Sequence, residues 1–169
     1  MSKPLLVILM GSSADSAHSQ KVVDAAHALG LETVTRIGSA HKTSVHVMHL
    51  LSHFESDPRP KVYITIAGRS NALSGFTDGL VAAPVIACPP PSEALGGADI
   101  FSSLRMPSGI APAVVLEPAN AALLAAKILA LTDPDLRQRV LAFQQVQSEK
   151  VLADDAALIQ SDGGDHVAG

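Results

Sequence analysis

About five times along this chain, a short run of apolar or β-branched residues gives way to a longer amphipathic stretch. Leu5 to Met10, Glu32 to Ile37, Lys61 to Ala67, Pro84 to Cys88 and Pro112 to Leu116 read as strands. Asp15 to Leu29 reads as a helix ended by Gly30, and Thr43 to Phe54 as a second, broken by Asp57-Pro58-Arg59-Pro60. Asn71 to Ala82 is weakly helical, and Ser92 to Pro107 is mixed, with short helical turns after the rigid Pro89-Pro90-Pro91 corner. Pro118, at a first helical position, opens an Ala-rich helix to Leu131, and a last helix runs from about Pro134 to Leu152. Strands that alternate with helices pair in parallel, because a parallel neighbour can be reached only through a crossover. The fold predicted is therefore α/β: a three-layer α/β/α sandwich around a flavodoxin-like five-stranded parallel sheet, with an additional C-terminal helix. At 169 residues one domain is expected, covering 1–156, with 157–169 as a flexible tail.

Composition narrows the partners. The chain is 47% hydrophobic and 17% charged, enough to bury a core and too apolar for a disordered chain. With 3% aromatic residues, no Trp and a net charge of -4, it lacks the stacking platforms and the bulk cation that nucleic acid or an anionic membrane would attract. No segment reaches the ~18 consecutive apolar residues of a membrane span. The run from Leu5 to Met10 is shorter than the ~7–15 residues of a signal-peptide core, so a buried first strand and a cytoplasmic location are expected. A single cysteine, Cys88, excludes an internal disulfide and a multi-cysteine zinc site.

In sheets of this kind ligands sit at the carboxyl ends of the strands. That rule selects Gly11 to Asp15, Ser39 to Lys42, Gly68 to Asn71 and Cys88 to Ser92. Gly11-Ser12-Ser13-Ala14-Asp15 can bind phosphate through its hydroxyls and the following helix N-terminus, or can simply cap that helix; it is neither a P-loop nor a dinucleotide fingerprint. Ser39-Ala40-His41-Lys42 places a hydroxyl, an imidazole suited to proton transfer near neutral pH and a fixed cation within four residues. Gly68-Arg69-Ser70-Asn71-Ala72 is one glycine short of a nucleophile elbow, and the only later histidine, His166, falls in the expected tail, so Ser70 reads as a hydrogen-bonding group. His46, His49 and His53 share one side of the second helix and could ligate zinc, but a third ligand is not obvious, since Glu55 and Asp57 lie past the helix end, and a partly exposed structural face is the preferred reading; no metal site is expected. His18, Gln20 and His27 read as surface positions of the first helix, and Cys88 as a packed thiol. These residues alone predict a phosphorylated small molecule held near one histidine, without specifying a reaction.

Taken as a set the motifs are more specific. Leu9 to Asp15, Ser39-Ala40-His41-Lys42, Ala67-Gly68-Arg69-Ser70-Asn71, Cys88-Pro89-Pro90, Ser102 to Gly109 and Asn120 to Leu129 together resemble the PurE family of purine biosynthesis, in order, over about residues 4 to 152. The family has two chemistries. Class I enzymes are mutases acting on N-carboxyaminoimidazole ribonucleotide; class II enzymes carboxylate aminoimidazole ribonucleotide (AIR) with carbon dioxide, and both give carboxyaminoimidazole ribonucleotide (CAIR). Lys42, Gly68-Arg69-Ser70-Asn71, Cys88-Pro89-Pro90 and Ser102-Ser103-Leu104-Arg105 look class II, so the resemblance implies direct carboxylation, with the mutase reaction as the alternative. It implies His41 as general acid/base, Ser12, Ser39 and Lys42 around the 5′-phosphate, Asp15 at the ribose or aminoimidazole, and Gly68 and Ser70 around carbon dioxide. It implies no biotin, ATP or metal. Arg69 and Arg105 either meet a substrate carboxylate or tie loops together. The long final helix is similar to the class I C-terminal extension, and implies a homo-oligomer, an octamer in preference to a tetramer.

Overall fold

Leu5–Met10 (β1) is apolar at every position because neither of its faces meets water. The structure, a computed structural model, describes residues 3–161. After β1 come α1 (Ser16–Ala28), β2 (Glu32–Ile37), α2 (Ser44–Glu55), β3 (Lys61–Ile66), α3 (Ala72–Asp78) and β4 (Val85–Ala87). They are followed by α4 (Phe101–Leu104), β5 (Ala113–Val114), α5 (Pro118–Leu129) and α6 (Pro134–Ser161). The strands form one sheet in the order β2-β1-β3-β4-β5, every pairing parallel. This is the flavodoxin-like order that the strand and helix alternation predicts.

The two-residue period of β1 divides its side chains between two cores. Leu6, Ile8 and Met10 join Val62, Ile64 and Ile66 of β3 against α1, α5 and the start of α6. Leu5, Val7 and Leu9 join Tyr63 against Val47, Leu50, Leu51 and Phe54 of α2 and Leu73 of α3. Ala121, Ala122, Ala125 and Ala126 give α5 a face of small side chains, all fully buried, that lets it pack close beside α1 and the sheet. Gly30, at φ +75°, ends α1 in the left-handed conformation that glycine adopts without steric cost. Beside it Arg139 of α6 donates from Nε to the Leu29 carbonyl at 2.9 Å.

Several boundaries differ from expectation for local reasons. β4 and β5 start one residue later than expected, because Pro84 and Pro112 have no N–H to give a ladder, and they also end earlier, at Ala87 and Val114. α3 stops at Asp78, before Gly79, rather than reaching Ala82. α6 passes the expected end at Leu152 and continues to Ser161, since no proline or glycine interrupts it. Residues 157–161, expected to begin the tail, are thus helical; 162–169 lie outside the described residues. Only Leu136 and Val140 of α6 are buried, so its later turns project from the body. Among the described residues no helix is long and apolar enough to cross a membrane.

Candidate active site

β1 lies between β2 and β3, so the chain leaves its carboxyl end for one side of the sheet and returns on the other, which opens a crevice there. A cleft of about 350 Å³ occupies that place. Gly11, Ser12 and Asp15 line it from the end of β1, Ser39, His41 and Lys42 from the end of β2, and Gly68 and Ser70 from the end of β3. All seven residues singled out in the sequence, His41, Ser12, Asp15, Ser39, Lys42, Gly68 and Ser70, therefore meet in one cavity.

Each segment is shaped by its own hydrogen bonds. The Asp15 carboxylate accepts from the Ser12 amide at 3.1 Å and from its hydroxyl at 3.3 Å, through the same oxygen, Oδ2. Capping and ligand contact, alternatives in the sequence, are thus compatible: Oδ2 closes the turn and Oδ1 has no partner among the described residues. In the second segment the Ser39 amide donates to Thr43 Oγ1 at 2.9 Å and the Lys42 amide to Ser39 Oγ at 3.2 Å. This ties the turn down while the His41 and Lys42 side chains stay exposed, without a hydrogen bond or ion pair among the described residues. The third segment turns sharply at Arg69, whose φ is +59°. A Cβ on Gly68 would lie 3.3 Å from Pro90 Cγ, so the absence of a side chain lets the loop pass close to the proline corner.

A second cleft, about 740 Å³, shares the Ala67-Gly68-Arg69 wall and opens on the other side of it. It is larger, and its lining mixes the apolar Pro89, Pro90, Pro91, Leu116 and Pro118 with polar side chains that include His18, Lys21, Arg69 and Asn120. His41 and Lys42 are absent from it, so the smaller cavity is the candidate site. Two sequence readings change here. His18, read as a surface position, is half-buried and lines this second cleft, with Nε2 at 3.4 Å from Cys88 Sγ. Burial, then the charge of Lys21, holds its pKa below the ordinary histidine value. Ser102 and Ser103, read only as part of a family pattern, hydrogen-bond to the Arg69-to-Asn71 backbone and side chain. No periodicity joins residues so far apart in sequence.

Cys88 is fully buried, and burial, aided by the nearby Glu117 carboxylate, pushes its thiol up to about 12. A raised pKa leaves the neutral thiol as the species present throughout the physiological range. The folded protein at pH 8 is therefore expected to react with iodoacetamide at least ~100-fold more slowly than the urea-unfolded chain, whose thiol titrates near ~8.5. Equal labelling rates in a mass-spectrometric time course would contradict the packing described for Cys88. His46, His49 and His53 are exposed on α2, and no group of three or more His, Cys, Asp or Glu among the described residues is placed to hold a metal ion.

A family model described as AIR carboxylase matches residues 5–150. The chain belongs to the AIR carboxylase family. The phosphoribosylaminoimidazole carboxylase of Treponema denticola is 55% identical over 156 residues, which are 92% of this chain and 98% of that one. The protein of the same name from Archaeoglobus fulgidus is 48% identical over 152 residues, 90% of this chain and 83% of its own. The crystal structure of Treponema denticola PurE superposes with a TM-score of 0.91 at 55% identity, covering 92% of this chain and 99% of that one. Within the AIR carboxylase fold, the matched span takes in all three segments of the cleft, from Gly11 to Ser70.

Proposed function

We propose that this chain carboxylates AIR with carbon dioxide to give CAIR in purine biosynthesis, in the cleft at the ends of β1, β2 and β3. The observation that carries the assignment is the convergence of His41, Lys42, Ser12, Ser39, Asp15, Gly68 and Ser70 on one cavity at the switch point of the sheet. In this reading Ser12, Ser39 and Lys42 hold the 5′-phosphate, with the ends of the segments leading into α1 and α2. Asp15 accepts a hydrogen bond from the ribose or the aminoimidazole through its free oxygen, and Gly68 and Ser70 face carbon dioxide.

AIR is an electron-rich, enamine-like imidazole, so its ring carbon attacks carbon dioxide without prior activation; the reaction calls for no biotin, ATP or metal. A carbon–carbon bond forms and the ring carbon then bears both the new carboxylate and its original proton. His41 takes that proton, the C–H electron pair returns to the ring, and aromaticity is restored. In reverse the imidazolium returns the proton before carbon dioxide leaves. Holding the two reactants in one cavity supplies the remaining acceleration by orientation.

Lys42 acts as a point charge on phosphate. A hydrogen bond to a charged group contributes ~1.5–3 kcal/mol, so Lys42→Ala is expected to weaken AIR binding by about 10- to 100-fold. Calorimetric titration that finds unchanged affinity would move the phosphate elsewhere. The function itself is tested by following CAIR absorbance with AIR plus bicarbonate in one cuvette and N-carboxyaminoimidazole ribonucleotide in another. Product from AIR at low bicarbonate supports the carboxylase; product only from the carbamate identifies a mutase, and Lys42 and Gly68 to Asn71 then lose their meaning as class markers.

The same reading takes the enzyme as cytoplasmic and as a homo-oligomer, an octamer before a tetramer. The projecting part of α6 supports assembly, since Val151, Leu152, Leu158 and Ile159 recur two turns apart and are 52–67% exposed. Light scattering at micromolar concentration is expected to give about eight times the chain mass; a tetramer would remove the octamer, and a monomer the assembly.

A further inference from the structure

The third wall of the cleft is a loop under strain, and what holds it lies thirty residues away. Arg69 is in the left-handed region, which a residue with a side chain adopts only when its surroundings impose it. The adjoining Asn71 amide donates to Ser102 Oγ at 2.9 Å. The Ser102 hydroxyl hydrogen has two carbonyl acceptors, Arg69 O at 3.2 Å and Asp99 O at 2.7 Å. Asn71 Nδ2 donates to Ser103 Oγ at 2.9 Å, while Asn71 Oδ1 accepts the Ser74 amide at 3.3 Å and caps α3. Asn71 is 2% exposed and Ser103 1%, so the bond between their side chains is shielded from water, whereas Ser102 holds the backbone from an exposed position. Ser70 lies between the two tethered residues and has no side-chain partner of its own among the described residues.

We propose that Ser102 and Ser103 are positioning residues of the active site, which clamp the Gly68-to-Asn71 loop so that Ser70 faces the reacting carbon. The inference rests on the reading of this cleft as the AIR site. The clamp acts on one wall only. Ser12, Ser39 and Lys42 stand on the other two segments, which have their own hydrogen bonds. Loosening the clamp therefore displaces the carbon dioxide side and leaves the phosphate side in place. A displacement of about 1 Å in a reacting geometry can cost about 100-fold, which sets the scale of the effect.

The test uses Ser102→Ala, Ser102→Thr and Ser103→Ala in the full chain. Ser102→Ala removes the acceptor of the Asn71 amide, and is expected to lower kcat at saturating AIR by about 10- to 100-fold with AIR affinity within about threefold of wild type. Ser102→Thr keeps the hydroxyl at an exposed position and is expected to stay within about threefold in kcat. Hydrogen exchange is expected to quicken at the amides of Arg69 to Asn71 in Ser102→Ala and not in Ser102→Thr. Should Ser102→Ala fail to fold, Ser103→Ala, which removes only the bond to the Asn71 side chain, is read in the same way. A kcat within twofold of wild type in a folded alanine variant overturns the proposal, as does a loss that threonine does not rescue or one matched by an equal loss of AIR affinity. A wild-type protein that does not turn over AIR refutes the reading of the cleft; the exchange rates then decide the clamp by themselves, and unchanged protection overturns it.

Discussion

A His41→Asn enzyme is expected to bind AIR with close to wild-type affinity and to carboxylate it about 100- to 10,000-fold more slowly. Binding survives because the phosphate is assigned to Ser12, Ser39 and Lys42, none of which His41 supports by a hydrogen bond among the described residues. Turnover fails because the addition intermediate must lose a proton from the ring carbon, and an amide side chain has no basic nitrogen with which to take it. The backbone at this position is fixed by the hydrogen bonds between Ser39 and Thr43, so the substitution changes the chemistry of the side chain and not the course of the loop. Calorimetry with AIR and a CAIR absorbance assay separate the two quantities. Turnover near wild type removes His41 from the mechanism and leaves a different proton acceptor to be found.

The second large effect lies in the core that carries the cleft. Ile64→Ala is expected to destabilise the protein by about 2–5 kcal/mol. Ile64 is fully buried at the middle of β3, paired with Ile8 of β1 on one side and Ile86 of β4 on the other. Three isoleucines thus stand abreast across the three inner strands and pack on the same core. Removing the central one opens a cavity that two sheet neighbours, themselves fixed by ladder hydrogen bonds, are badly placed to fill. In a domain of this size each kcal/mol moves the Tm by about 2–4 °C, so a fall of about 4–20 °C is expected in thermal scans at one protein concentration. A fall under about 2 °C would show that the core collapses into the space and that the three isoleucines are not mutually fixed.

Elements whose cause is local were legible in the sequence. β1, β2 and β3 carry their apolar or β-branched pattern in consecutive residues, Gly30 and Pro118 mark helix ends by backbone conformation alone, and the strand-end rule brought His41, Lys42 and the two flanking segments together. Features that depend on distant contacts were not legible. His18 is an unremarkable helix position until β4 brings Cys88 to its side. Ser102 and Ser103 acquire partners only when the sheet sets Asn71 next to them. The end of α6 was set too early because the chain beyond Leu152 lacks both a stop signal and a buried face, so neither boundary nor packing marks it.

The position of β1 in the sheet also has a consequence for the protein while it is being made. The strand is synthesised first among the five, yet it is interior, and its partner β3 ends at residue 66. At about 5–20 residues per second, the chain from residue 10 to residue 66 takes about 3 to 11 s to make. Throughout that interval six consecutive apolar residues have no complete sheet to enter, and such a segment is prone to pair with its counterpart on another nascent chain. Lys3 and Pro4, directly ahead of it, bring a charge and a missing N–H, the two devices that discourage such pairing. The strand order thus leaves β1 with one edge unpaired after β2 has been made, until Ile64 and its neighbours emerge to cover it.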